Sequence, residues 1–388
     1  MRRISPKISR NLKSIARITG GFVVAFYIYL AFFTALGHAY KEFYYLNDAS
    51  LFFRITVIGL VVGAVVAVSD VFFLSRATKN LNFILTLFVR TAFYVTLSLG
   101  VLLLFVIWEE YVILNGSGSF SFESRVRTFF SGEFPVLTLY LSVVAFIISS
   151  FRLVIQRVGE KKFWNAVTGR YHTPHEEERV FMFLDLYSST MLAELMGHER
   201  YHNLLDDVFN DIADPISSFG GEVYQHVGDS VVVTWKIQEG TRELNCIRCF
   251  FAILDRIKGL AEKYEDRYQH VPHLKAGLHS GKVIAGEVGE EKVEIVFHGD
   301  TVNTASRIQG ECKKMGEQIL LSKELLALFP EEELAHYSPQ EKGTIFLEGR
   351  IARVSIYTVS DAGSASRRKD GSMMWPRSVC KRVCVKAD

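Results

Sequence analysis

The sequence predicts an α+β protein in two parts: an N-terminal region of four transmembrane helices, then a β-α-β-β-α-β unit with further strands at its C-terminal end. Three observations carry this. Four apolar stretches long enough to cross a bilayer fall within residues 1–151 of the 388. Beyond them the pattern changes to short β-rich runs bounded by turn residues. Those runs alternate with helical patterns in the order of a split β-α-β sheet. The chain is 49% hydrophobic and 22% charged, with most charges in the second part, which excludes a wholly soluble protein.

A helix crosses the hydrocarbon core with about 20 mainly apolar residues, since every backbone amide must be satisfied within the segment. The stretches run from Ile18 to Gly37, Ile55 to Leu74, Leu81 to Leu104 and Phe134 to Phe151. The first has an apolar core too long for a cleaved signal peptide and shows no small-residue cleavage site, so it reads as a retained anchor. Arg2, Arg3, Lys7, Arg10, Lys13 and Arg17 precede it, Arg76 and Lys79 separate the second stretch from the third, and Arg152, Arg157, Lys161 and Lys162 follow the fourth. Basic residues favour the cytosolic side. This predicts a multi-pass protein of the inner or plasma membrane, with both termini cytosolic, the lipid bilayer as partner and one sizeable outer loop from about Glu109 to Glu133. Asp70 and Arg90 lie inside the stretches at similar depth: either they pair, or Asp70 sits at the interface while Arg90 snorkels.

Residues 152–178 are charged and aromatic, contain Pro174, and read as a cytosolic helical stalk with a linker. A soluble domain is expected over residues 179–360. Val180 to Leu184 is the continuous apolar run of a buried strand, stopped by Asp185. Leu204, Leu205, Val208, Phe209, Ile212 and Ile216 follow at helical spacing. Glu222 to Val227 and Ser230 to Trp235 flank Gly228-Asp229 as a hairpin. A second helix is expected from about Glu243 to Tyr264, strands at Leu274 to Leu278, Lys282 to Glu287 and Glu294 to Phe297, and a helix from Asn303 to Lys314. This is a ferredoxin-like order, expected with its helices on one face of the sheet. Residues 361–388 are basic and lack apolar periodicity, and read as a disordered tail. The net charge of +2 gives no field for a polyanion, so no nucleic acid is expected as partner. Cys246 and Cys249, one helical turn apart without a second pair at zinc spacing, read as buried thiols, which fits a reducing compartment.

Two aspartates stand where metal chemistry needs them. Asp185 ends a buried strand and Asp229 occupies a hairpin turn beside it. Converging carboxylates hold hard divalent cations, as Mg²⁺ prefers when it also binds phosphates. Ser188, Ser189 and Thr190 then enter a helix whose free amides suit a polyphosphate. Read singly, each piece also has a local explanation: Asp185 as a helix cap and Gly228-Asp229 as a favoured turn.

A third element changes the balance. Val180-Phe181-Met182-Phe183-Leu184-Asp185-Leu186-Tyr187-Ser188-Ser189-Thr190, Val227-Gly228-Asp229-Ser230 and His298-Gly299-Asp300-Thr301-Val302-Asn303-Thr304-Ala305-Ser306-Arg307 together resemble the class III nucleotidyl cyclases, the adenylate and guanylate cyclase family. The resemblance covers Arg179 to about Val359. It implies that Asp185, Asp229 and the Leu186 carbonyl bind two divalent cations, Mg²⁺ or Mn²⁺. It implies further that Asn303 orients the ribose, that Arg307 stabilises the transition state, and that a nucleoside triphosphate, ATP favoured, becomes a 3′,5′-cyclic nucleotide and pyrophosphate. Family members take the aspartates from one protomer and the Asn and Arg from the other, so a homodimer is implied.

The match departs from the family in three places. The positions that select the purine hold Gln225 and Val296; Gln donates and accepts, and Val does neither, so relaxed selectivity or a guanylate cyclase is the alternative. Ser188 stands where a Gly is usual. In Leu347-Glu348-Gly349-Arg350 a Glu replaces the phosphate-binding Lys, leaving Arg350 as its substitute or as a solvated loop charge. Phe219-Gly220-Gly221-Glu222-Val223 superficially resembles the diguanylate cyclase signature but precedes the Gly-Asp turn. A non-catalytic dimeric signalling scaffold is the reading from a different class.

Overall fold

The computed structural model describes residues 6–36, 49–79, 81–114, 130, 134–346 and 353–360. It forms two compact units, residues 1–170 and 171–388. The Leu347 to Arg350 segment and the tail 361–388 lie outside the described residues, as does the expected outer loop apart from residues 109–114, which continue a helix, and Phe130.

In the first unit, α1 spans Pro6–Leu36 and α2 spans Ala49–Ser69. A π-helical turn, Asp70–Leu74, and a last helical turn, Ser75–Ala77, extend α2. Helix α3 spans Phe83–Leu114 and α4 Phe134–Val158. All four are long and apolar enough to cross a membrane. Backbone hydrogen bonds satisfied within each helix make this the form such sequences take in lipid. Ile18, Phe22, Val62, Val66, Tyr94, Leu141 and Ala145 pack inside, while Phe53, Phe73, Ile84 and Leu139 point outward. Helices α1 and α2 meet at Gly59 and Gly63. A Cβ on Gly63 would stand 2.8 Å from the Thr19 Cα, so only glycine admits this approach. After Gly159, at φ +92°, the chain forms α5, Glu160–Val167.

The second unit is built on one mixed sheet. Its strands are β1 (His175–Leu186), β2 (Glu222–Val227), β3 (Ser230–Lys236), β4 (Leu274–Val288), β5 (Glu294–His298), β6 (Ile319–Ser322), β7 (Gln340–Phe346) and β8 (Arg353–Thr358). The order is β2-β3-β1-β4-β6-β8-β7, with β5 paired to the far half of β4. The first four positions are antiparallel throughout, which is the ferredoxin-like arrangement. The added strands continue from β4, with β6 parallel to it and β8 and β7 antiparallel beyond.

The strand β1 alternates, as a pleated strand must. Val180, Met182, Leu184 and Leu186 enter one core with Leu204, Val208 and Ile212 of α7 (His198–Ser218) and Ile247 and Phe250 of α8 (Asn245–Gly259). Cys246 and Cys249 are fully buried free thiols in this core, and burial pushes the Cys246 thiol up to about 12. Phe181 faces the other way, with Val232, Val283 and Phe297. There Ala305 belongs to a helix, α9, Asp300–Met315. This corrects the expectation of helices on one face only. The cause lies in β4: a Cβ on Gly277 would stand 2.5 Å from the Gln309 Cα, and one on Gly281 2.6 Å from the Thr301 Oγ1. Two glycines on one face thus open a bed for α9 that hydropathy does not announce.

Other differences are local. Strand β1 begins at His175, so residues expected in a linker already pair with β4. The two strands expected around Ser280-Gly281 are one continuous strand, because those residues pair with Val180 and Arg179 without a break. The helix expected over Glu243 to Tyr264 is interrupted at Leu260 and resumes at Ala261.

Candidate active site

Asp185 is the penultimate residue of β1 and projects to the α9 face. Its register partners are Ser230 on β3 and Lys275 on β4. Ser230 donates its hydroxyl to Oδ1 at 2.8 Å. The Lys275 ammonium stands 3.0 Å from Oδ2, and Gln309 of α9 donates to the same oxygen at 2.8 Å. Both carboxylate oxygens are therefore oriented before any ligand arrives.

Asp229 sits in the β2–β3 turn next to Ser230, behind Gly228 at φ +61°, where a residue without Cβ meets no steric cost. Tyr201 of α7 feels the charge of both carboxylates. Its hydroxyl is pushed up to about 12, first by burial, then by the charge of Asp229, with a further contribution from Asp185; Ser189 hydrogen-bonds it and opposes the shift.

Leu186 buries its side chain in the core, so only its backbone faces the site. Ser188 adopts a left-handed conformation, φ +57° and ψ +35°, and caps the N-terminus of α6, Ser189–Met196. That is the physical reason a Gly suits this position. Thr190 is exposed in the first turn of α6.

Asn303 and Arg307 are both exposed on α9, while Thr301, Thr304, Ala305 and Ile308 are buried against the sheet. At about 100° per residue, Arg307 and Gln309 point some 200° apart around the helix axis. Asp185 of the same chain thus receives Gln309, and Arg307 is directed elsewhere. Gln225 is exposed just after a bulge in β2, and Val296 is half-buried opposite Gly286. Their chain neighbours touch: the rings of Tyr224 and Phe297 are 4.9 Å apart, and the Phe297 N–H donates to the Tyr224 hydroxyl at 3.4 Å. Arg350 lies outside the described residues.

Sequence reasoning missed Lys275, Gln309 and Tyr201, and quoted Ser230 in a motif without its role at Asp185. A readable signal existed for Lys275, a cation inside the otherwise apolar run from Leu274 to Leu278. Gln309 had none, since its role depends on the helix lying on this face.

Residues 171–361 match the family described as the adenylate and guanylate cyclase catalytic domain. Residues 171–361 form a class III nucleotidyl cyclase catalytic domain. Among similar proteins, adenylate cyclase 2 of Rhizobium meliloti (strain 1021) is 41% identical over 213 residues, 55% of this chain and 58% of that protein. Adenylate cyclase 1 of the same organism is 28% identical over 47% of this chain and 27% of its own length. The chain thus spans well under two thirds of either relative. A bacterial light-regulated adenylyl cyclase structure shares the fold at 21% identity and a TM-score of 0.50, covering 58% of this chain and 65% of that one. The match begins at Tyr171, four residues before β1, and runs beyond β8.

Among the described residues no group of three or more His, Cys, Asp or Glu forms a ready metal cage. Two carboxylates with an adjacent backbone carbonyl are instead the open, all-oxygen donor set that suits Mg²⁺ or Mn²⁺ when water and phosphate complete the shell. The donors present fit such a cation.

Proposed function

We propose that the chain is a membrane-anchored cyclase that converts ATP into 3′,5′-cyclic AMP and pyrophosphate at sites shared by two copies of itself, for intracellular signalling. The division of α9 carries this reading. Gln309 serves Asp185 of its own chain, while Asn303 and Arg307 face outward. A site that needs all four groups is incomplete in one chain and is completed when a second copy presents its Asn303 and Arg307 to Asp185 and Asp229.

Asp185, Asp229 and the Leu186 carbonyl would hold two divalent cations, which lower the pKa of the ribose 3′-hydroxyl and neutralise the triphosphate. Ser188, Ser189 and Thr190 offer amides and hydroxyls to phosphate oxygens at the start of α6, with Arg350 as a further phosphate ligand. Asn303 orients the ribose so that its 3′-oxygen faces the α-phosphorus. The bond from that oxygen to phosphorus forms as the bond to the bridging oxygen breaks, and pyrophosphate leaves. Arg307 holds the charge that builds on the α-phosphate. The basic residues flanking α1, the α2–α3 loop and α4 support a catalytic domain and both termini on the cytosolic side.

Mixing tests the shared site. An Asp185→Ala chain and an Arg307→Ala chain are each expected to be inactive. Together they should recover about a quarter to a half of wild-type turnover, through heterodimers holding one intact site; no recovery contradicts the reading.

A further inference from the structure

The inner ends of α2, α3 and α4 carry three charges that cyclisation does not use. Asp70 opens the π-helical turn of α2 and is fully buried. Arg90 of α3, 3% exposed, places its Nε 3.8 Å from Asp70 Oδ1. Arg152 of α4 forms an ion pair with the other oxygen, Oδ2. Arg90 also donates to the Thr78 hydroxyl at 3.3 Å, beyond the π turn, and to the side-chain Oε1 of Gln156 at 3.4 Å, one turn after Arg152. One carboxylate therefore ties three helices together. Ionised groups inside apolar spans are costly and mark functional positions. The π-helical turn at the same residue is a second, independent irregularity of the kind found at such positions.

The triad sits at the root of the chain's exit from the bundle. Arg152 is two turns from Gly159, whose left-handed backbone turns the chain from α4 into α5. Just beyond, Glu160 pairs with Arg17 of α1 at 2.6 Å, and the Phe163 ring packs edge-on to Phe151 at 5.1 Å. The segment that leads to the catalytic domain is thus anchored where Arg152 is anchored.

We propose that Asp70, Arg90 and Arg152 form a charge latch that fixes the inner end of α4 against α2 and α3 and, through the elbow at Gly159, sets the catalytic output of the domain that follows. The effect on output rests on the cyclase reading; the mechanical part does not. The two arginines are not equivalent. Removing the Arg152 charge leaves a balanced Asp70–Arg90 pair that still joins α2 to α3 but releases α4. Removing the Asp70 charge leaves two guanidiniums confronting each other, and disturbs all three helices.

The test uses the full chain in lipid nanodiscs, with hydrogen–deuterium exchange over residues 149–170 and cyclic nucleotide formation read side by side. Arg152→Gln and Asp70→Asn are expected to raise exchange in that segment at least fivefold and to change turnover at least threefold. The charge exchange Asp70→Arg with Arg152→Asp should return both readouts to within twofold of wild type. Unchanged exchange in the single variants overturns the latch, as does raised exchange with unaltered turnover. If the single variants fail to accumulate in membranes, the charge exchange decides: a folded double variant with wild-type exchange supports the latch, and failure to recover overturns it. A wild-type protein that forms no cyclic nucleotide refutes the cyclase reading, while the exchange data still judge the mechanical part.

Discussion

Lys275 places its ammonium 3.0 Å from Oδ2 of Asp185, so a monovalent cation already stands beside a carboxylate proposed to hold divalent ones. The pair is fixed by strand register, since Asp185 and Lys275 face each other across β1 and β4. A fixed positive charge at that distance opposes the entry of a bare metal ion and favours entry together with the negative triphosphate.

Lys275→Met is therefore expected to tighten nucleotide-free Mn²⁺ binding about tenfold, about 1.4 kcal/mol, as read by calorimetry on the purified protein. An affinity that stays the same or falls would show that Asp185 is not where the cation first lands.

Ser188 is held at φ +57° at the entrance to α6. Glycine adopts this conformation without a Cβ penalty, so Ser188→Gly is expected to stabilise the catalytic domain by about 1 kcal/mol. Thermal unfolding would show a melting temperature raised by about 2–4 °C. No rise would mean that the serine hydroxyl compensates the strain locally.

Burial lowers the pKa of His270 to about 4, helped by the neighbouring His273. A histidine that is neutral in the folded state and takes up a proton more readily when unfolded weakens folding as pH falls from about 6.5 through 4, by at most about 1.4 kcal/mol per pH unit. Above 6.5 it contributes no slope. His270→Leu should flatten the acid limb of stability in denaturant titrations at pH 4.5 and 7; an equally steep limb would assign the acid sensitivity to other groups.

At the proposed purine positions, Gln225 offers both a donor and an acceptor and Val296 offers neither. A pocket missing one polar partner loses the penalty that an unpaired group imposes on the wrong base. Purified protein is expected to turn over ATP ahead of GTP by less than about a hundredfold, and Val296→Thr to widen that gap. A preference of 10⁴ or more in the unaltered protein would show that other residues read the base.

Much of the catalytic domain was legible because its decisive signals are local. The apolar run from Val180 to Leu184, the turn at Gly228-Asp229 and the helical pattern around Asn303 each follow from neighbours in sequence, and the sheet order follows from their succession. What stayed hidden depends on contacts across the fold. Gly281 reads as a break in a strand, whereas in the sheet it pairs with Arg179 and makes room for Thr301. Gln309 gains its partner only once α9 is seated on the face opposite α7. In the membrane region the depth of Asp70 and Arg90 was readable. The entry of Arg152 was not, because it lies just past the apolar run and looks like an ordinary interfacial cation.

The glycine bed of β4 leaves no room beneath α9. Gly277 and Gly281 bring helix and strand so close that a single added methyl at either would collide with backbone or side chain across the gap. The plate that carries Lys275 on one layer and Asn303 and Arg307 on the other is stiff, and cannot be tuned by sliding one layer over its neighbour. Under the cyclase reading, speeding or slowing the reaction means re-seating entire subunits against each other, which makes assembly, rather than internal flexing, the throttle of the molecule.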